Sequence, residues 1–194
     1  MSTLSLDALV TQIQQAADPE ALLKAVQQLA QQRDPEAIPH LVKAFGYNQA
    51  AVSEVALAAV IAFGSAAVEP LLSSIDGYDY AARAYSVRAL AKIGDPRALD
   101  FLLDAITADF APSVRRAAVR GLGTVGREAV GPAQAHLQTV LQRCAQDGDW
   151  GIRYALVCTL AELGSQSFPE LCEQLCRDAD ALVQVKAKIA LAGV

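Results

Sequence analysis

Four segments of the chain carry the same apolar stripe and close on a glycine: AVSEVALAAVIAFG (51–64), AARAYSVRALAKIG (81–94), SVRRAAVRGLGTVG (113–126) and GIRYALVCTLAELG (151–164). Four residues before each glycine stand Val60, Leu90, Leu122 and Leu160, and one residue before stand Phe63, Ile93, Val125 and Leu163. Apolar positions three and four apart line one face of a helix. A glycine just past the stripe suits a left-handed C-terminal cap. A second apolar pattern precedes each segment: DPEAIPHLVKAF (34–45), SAAVEPLLSSI (65–75), DPRALDFLLDAI (95–106) and GPAQAHLQTVLQRC (131–144). Their Asp, Ser or Pro starts predict helix N-termini. DPEALLKAVQQLA (18–30) and SFPELCEQLC (167–176) extend the theme outward. β-branched residues fall at helical rather than alternating spacing, so strands are not expected.

The glycines recur about every thirty to forty residues, a period that marks a solenoid of helix pairs. One pair cannot bury its own apolar face, so neighbours must stack. The expected fold is all-α: an α-solenoid of HEAT/armadillo-like helix-pair repeats winding as a right-handed superhelix. Residues 1–194 read as a single domain with repeats near 1–33, 34–64, 65–94, 95–126, 127–164 and 165–194. The last repeat is atypical, with Leu182 where an arginine is expected. Second helices are expected to line a concave face. GLGTVG (121–126) looks like a glycine-rich loop, but Leu122 and Val125 fit the helical stripe, so it reads as helix packing and a cap.

Composition narrows the function. The chain is 53% hydrophobic and 19% charged, enough for a sizeable core, with net charge −5. Without a basic run, bulk nucleic-acid binding is disfavoured. No apolar run is long enough for a membrane span, and the N-terminus has no secretory pattern. A cytoplasmic location is expected. Cys144, Cys158, Cys172 and Cys176 match no zinc spacing, and His40 and His136 lie far apart, so no metal is expected. The cysteines read as small apolar residues in a reducing compartment.

The arginines sort into two classes. Arg83, Arg115 and Arg153 share one repeat position, eleven residues before the glycine. With Asp79, Asp109 and Asp149 nearby, they predict ties between repeats, Asp79 with Arg83 and Asp149 with Arg153. The polar face of the repeated helix holds Glu54, Ala58 and Ala62, then Ala84, Arg88 and Lys92, then Arg116, Arg120 and Thr124, then Tyr154, Cys158 and Glu162. Four cations in the middle repeats form a candidate site for carboxylates or phosphates. Tyr47, Tyr78, Tyr80 and Trp150 fall between paired helices and suit a flat conjugated ligand or a protein hot spot.

The string GYDYAARAYSVRALAKIGDPRALD, with its flanks DPEAIPHLVKAFGYNQAAVSEVALAAVIAFGSAAVEPLL, DFAPSVRRAAVRGLGTV and GDWGIRYALVCTLAELG, resembles the E/F-type phycobilin lyase family. Within it the chain looks most like the F-type subunits of the phycocyanin α-subunit phycocyanobilin lyases, over most of residues 18–164. The resemblance implies a heterodimer with an E-type subunit. It implies attachment of phycocyanobilin, an open-chain tetrapyrrole, to a cysteine of a phycobiliprotein α subunit through a thioether at the ring A ethylidene. Phycocyanobilin is then a substrate rather than a permanently bound cofactor. Isomerising members carry a His-Cys pair, which this chain lacks, so ligation without isomerisation is implied. On this reading Arg88, Arg116 and Arg120 hold propionates, and Asp79 meets the pyrrole N–H groups. Tyr78, Tyr80, Tyr85, Trp150 and Tyr154 flank the bilin, and Asp79 and Tyr80 are the proton-transfer candidates. Two alternatives remain: a HEAT-repeat phycobiliprotein-binding protein for bilin detachment or antenna breakdown, and a generic interaction scaffold.

Overall fold

A computed structural model describes residues 4–74 and 79–192. Among these, every regular element is helical. The chain divides into two compact units, Met1–Ile93 and Gly94–Val194.

The first unit holds α1 (Leu6–Gln14), α2 (Pro19–Gln32), α3 (Ile38–Lys43), α4 (Ala50–Ala62), α5 (Val68–Ser73) and α6 (Tyr80–Ile93). α1 pairs with α2 and α3 with α4, and α5 packs on α6. The second helices form a layer in which α4 touches both α2 and α6, while α3 packs on α5. The second unit repeats the plan with α7 (Leu99–Ala108), α8 (Pro112–Val125), α9 (Gly131–Cys144), α10 (Trp150–Leu163), α11 (Pro169–Leu175) and α12 (Ala181–Ala192). Here α10 lies between α8 and α12, and α7 packs on α9. The stripe residues Val60, Leu90, Leu122 and Leu160 are all buried, as the helical spacing requires.

The long second helices match their predicted spans closely, and so does α9, but the first helices α3, α5 and α7 are shorter. DPEAIP and DPRALD open with 3-10 turns, Pro35–Ala37 and Pro96–Ala98, before α3 and α7. Each of these turns is capped by its aspartate. Asp34 and Asp95 accept from the backbone N–H two residues on, at Glu36 and Arg97, 3.0 Å in each case. Asp18 instead accepts from Ala21, three residues on, at 2.8 Å, and α2 starts directly at Pro19.

Gly64, Gly94 and Gly164 take the left-handed conformation expected after a helix, with φ of 59°, 73° and 95°. Gly126 departs from this pattern. Its φ is −77°, and the chain runs on into a 3-10 turn. The residue is small for another reason: a Cβ there meets Leu137 Cδ2 at 2.9 Å. In GLGTVG, Gly123 likewise lies under the Glu162 side chain of α10, so the motif is helix packing. The α8–α10 contact is close enough for the buried Thr159 hydroxyl to donate to the Val119 carbonyl at 2.6 Å.

The repeat-position arginines reach forward. Arg115 pairs with Asp147 at 3.3 Å, in the loop before α10. Arg153 donates to both oxygens of Asp178, in the loop before α12, at 2.7 and 2.9 Å, and to the Asp147 carbonyl at 2.7 Å. The expected Asp149–Arg153 tie is therefore corrected. Asp149 caps α10 through the Gly151 N–H at 2.7 Å and pairs with Arg116, because the first turn of α10 directs the Arg153 side chain toward the following loop. Arg83 is half-buried at the matching place on α6.

Hydrogen bonds from Arg153 hold the Asp178 carboxyl below its ordinary range. A depressed folded-state pKa stabilises the fold above the unfolded value, about 3.9 for aspartate, and that stabilisation is lost as pH falls through the lower folded value. The urea midpoint is therefore expected to be flat from pH 8 to about 5 and to drop below about 4. Asp178→Asn should lower the plateau and make the acid decline shallower. An acid limb of unchanged slope in that variant would exclude Asp178 as a contributor.

Candidate functional site

In the first unit the sequence-selected residues gather at the start of α6. Asp79 is its N-cap: one carboxylate oxygen accepts from the Ala82 N–H at 2.9 Å. The other lies over Gly46, where a Cβ would collide with it. One oxygen of this carboxylate is thus engaged as a helix cap, and the other requires residue 46 to be small. Tyr80 opens the helix and is largely exposed. Tyr78 lies outside the described residues.

Tyr85 is half-buried and stacks on Phe45, ring centroids 5.5 Å apart with a 27° interplanar angle. The Arg88 guanidinium lies 5.0 Å above the Tyr85 ring. It also grips Glu54 of α4 with two parallel hydrogen bonds, 2.8 and 3.2 Å. Those bonds hold the Glu54 carboxyl below its ordinary range and raise the Arg88 pKa. Arg88 therefore meets an incoming propionate only in exchange for Glu54, or through donors that the fork leaves over.

One helical turn beyond Glu54 along α4 the surface changes character. Ala58 and Ala62 follow at i+4 steps, both exposed. With Val55, Phe63, Gln27 and Arg33 they line a depression of about 1010 Å³ between α2 and α4. Arg33 caps α2 in the left-handed conformation, φ 53°. The floor is apolar and the rim carries a cation and an amide, the mixture typical of small-molecule sites. Sequence reasoning missed this groove because alanines on a helix read as packing. The available signal was the loss of side-chain bulk at two positions that hold Arg88 and Lys92 in the next repeat.

In the second unit, Arg116 crosses the backbone of Gly151. A Cβ there would approach Arg116 Nε to 2.6 Å. The guanidinium donates twice to one oxygen of Asp149, at 3.2 and 2.7 Å, and holds that carboxyl below its ordinary range. Arg120 lies one turn further along α8. It is exposed and, among the described residues, engages no ion pair. Trp150 opens α10, is 46% exposed and stands edge-on to Tyr154 at 6.4 Å. α8 and α10 pack side by side, so this unit presents aromatic surface and an available cation on neighbouring helices.

Two of the four cysteines, Cys144 and Cys172, are buried and poorly disposed to act as nucleophiles. Burial pushes the Cys144 thiol up to about 12 and also raises Cys172. Cys158 and Cys176 are half-buried, and no disulfide joins any of the four. No cluster of metal-ligating side chains occurs among the described residues.

Known proteins place this geometry in context. HEAT repeats match residues 47–123, 68–138 and 103–192, and the PBS lyase HEAT-like repeat matches residues 21–47. The phycocyanobilin lyase subunit beta of Nostoc sp. is 44% identical over 195 residues, which span 94% of this chain and 96% of that protein. The phycocyanin alpha phycocyanobilin lyase CpcF of Synechocystis sp. is 37% identical over 170 residues, 85% of this chain and 79% of that protein. A solved complex of CpcE and CpcF of the phycocyanin lyase from Nostoc sp. contains a chain that superposes with a TM-score of 0.72 at 40% identity. The superposition covers 81% of this chain and 99% of that one.

Proposed function

The chain belongs to the E/F-type phycobilin lyases, a HEAT-repeat family, and from that membership we propose that it acts in a heterodimer with an E-type subunit to attach phycocyanobilin to a phycocyanin α subunit. The end-to-end match to a phycocyanobilin lyase beta subunit carries this reading. The reaction is addition: the acceptor's cysteine thiolate forms a C–S bond at the ring A ethylidene, and the bilin takes up one proton. The acceptor supplies the nucleophile. Cys144 does not suit the part, since burial keeps its thiol protonated at neutral pH. Ligation proceeds without isomerisation, in keeping with the absence of any His-Cys dipeptide.

The contribution of this chain is positioning. In the first unit, the α2–α4 groove gives the conjugated plane an apolar floor, with Arg33 at its edge for a carboxylate. In the second unit, Trp150 and Tyr154 offer aromatic contact and Arg120 offers a guanidinium with no internal partner to displace. Arg88 and Arg116 are reserve cations, released by Glu54 and Asp149. Tyr80 is a better proton donor to the bilin than Asp79, whose carboxylate is occupied as a helix cap.

The test is a titration of phycocyanobilin followed by its absorbance, with the reconstituted heterodimer. Arg120→Ala and Trp150→Ala are each expected to weaken binding about tenfold, the scale of one charge-assisted or aromatic contact. Unchanged affinity in both variants removes the second unit from bilin contact. Covalent pigment on the α subunit with this chain alone would remove the need for the E-type partner.

A further inference from the structure

The tenth position before the closing glycine holds Ala84, Arg116 and Tyr154 on α6, α8 and α10, and an acid, Glu54, on α4 alone. The Glu54 side chain is 52% exposed, yet α6 fixes it in place. The Arg88 fork donates to both of its oxygens, at 2.8 and 3.2 Å, and the Tyr85 hydroxyl donates as well. Arg88 in turn rests on the Tyr85 ring, and that ring stacks on Phe45. A carboxylate has about four lone-pair sites, so these three donors leave one open. An ion pair this exposed adds little to folding stability, and ordering long side chains costs entropy. Stability therefore does not account for the arrangement, whereas holding a carboxylate ready for a ligand does.

The place of Glu54 on α4 says which ligand. Ala58 and Ala62 continue its row along the helix, so the carboxylate stands one turn, about 5 Å of rise, before the apolar depression between α2 and α4. An open-chain tetrapyrrole presents three surfaces: a conjugated plane, a pair of propionates and an edge of pyrrole N–H groups. The alanine floor suits the plane, and Arg33 suits a propionate. Glu54 supplies the anion that the N–H edge calls for. Asp79, the carboxylate that the sequence favoured for that part, is taken up as the cap of α6.

We infer that Glu54 accepts the pyrrole N–H groups of the bilin and holds it as the ring-protonated cation, the form that the acceptor thiolate attacks. This assignment rests on the lyase reading above and deepens it. Hydrogen bonds from Arg88 keep the Glu54 carboxyl ionised, below its ordinary range, so the proton stays on the bilin. Positive charge spread through the conjugated system draws electrons from the ring A ethylidene and favours attack there. A fixed anion beside that charge stabilises it without rearrangement. The electron count closes. The thiolate pair makes the C–S bond, the ethylidene π pair takes a proton at the ring A carbon, and the ring nitrogen gives up the proton it carried. Thiolate and cation thus yield a neutral thioether with no leaving group, and Glu54 keeps its charge throughout.

The experiment titrates the reconstituted heterodimer with phycocyanobilin and with its dimethyl ester, which keeps the N–H edge but has no propionate charge. Glu54→Gln is expected to weaken the ester about tenfold, the scale of one charge-assisted hydrogen bond. The band of the bound ester should move to shorter wavelength, since the protonated chromophore absorbs to the red of the neutral one. The free acid should lose less, because the freed Arg88 gains a propionate. Glu54 is exposed, so the variant should keep the melting point of the parent. Unchanged ester affinity and band position in Glu54→Gln overturn the assignment and leave the lyase reading intact. A variant that binds the free acid more tightly, with the ester unmoved, makes Glu54 only the lock on Arg88 and also overturns it. A parent heterodimer that binds neither compound overturns both readings.

Discussion

Arg153→Ala is expected to cost about 3–5 kcal/mol of unfolding free energy, because it leaves the Asp178 carboxylate buried without its counter-charge. The pair is well shielded, at 14% and 6% side-chain exposure, and both guanidinium–carboxylate bonds are short. Arg153 also satisfies the Asp147 carbonyl at 2.7 Å, so one truncation strands an anion and a carbonyl in the same loop region. For a chain of this size the melting temperature should fall by roughly 10 °C. Arg153→Leu combined with Asp178→Asn should recover most of the loss. The asparagine still accepts from the Asp180 N–H, and the uncharged pair leaves nothing to neutralise. Urea denaturation of the single and double variants checks this. A single-variant loss below about 1 kcal/mol would mean the pair behaves as an exposed surface bridge.

The second large effect concerns the α2–α4 groove. Ala62→Trp places an indole in the depression without touching the core, since the Ala62 side chain is exposed on α4. Ligation by the heterodimer should fall about 100-fold, the cost of moving a reacting group by an ångström or so from its working position. The melting point should stay within a few degrees, roughly the range of surface substitutions. Ala62→Ser, which leaves the volume open, serves as the control and should retain ligation. Full activity in Ala62→Trp would empty the groove of any role in bilin seating and leave Trp150, Tyr154 and Arg120 as the remaining contact surface.

Most of the architecture was legible because helical repeats write themselves into sequence twice, once as apolar spacing and once as period. Val60, Leu90, Leu122 and Leu160 fall on the apolar stripe that the spacing assigns to the core, and all four are buried. Gly64, Gly94 and Gly164 close their helices with positive φ, as the sequence pattern predicts. At Gly126 the signal was ambiguous, since a glycine can serve backbone conformation or close packing, and only Leu137 lying against it distinguishes the two. The short 3-10 entries to α3 and α7 were illegible for a similar reason. Asp-Pro precedes α2 as well, and there the α-helix starts directly at Pro19, so the dipeptide does not distinguish a 3-10 entry from an α-helical start.

The candidate site was less legible than the fold. Sequence supplies residue types, whereas a ligand needs side chains that are available. Arg88, Arg116 and Arg120 look alike in the repeat, but Glu54 and Asp149 engage the first two, and only Arg120 is left open. Asp79 looked like a polar group awaiting a ligand and is a helix cap. The partners of Arg88 and Arg116 lie outside their own helices, 34 and 33 residues away along the chain.

The sequence by itself determined the helix pairs, their order, the buried stripe and the family, because each rests on local spacing or on residue strings that survive without coordinates. The tertiary structure alone decided which arginine meets which aspartate, where alanines open a groove, and which glycine serves packing rather than a turn. Those are properties of neighbouring repeats, and a neighbour's side chain has no representation in local periodicity.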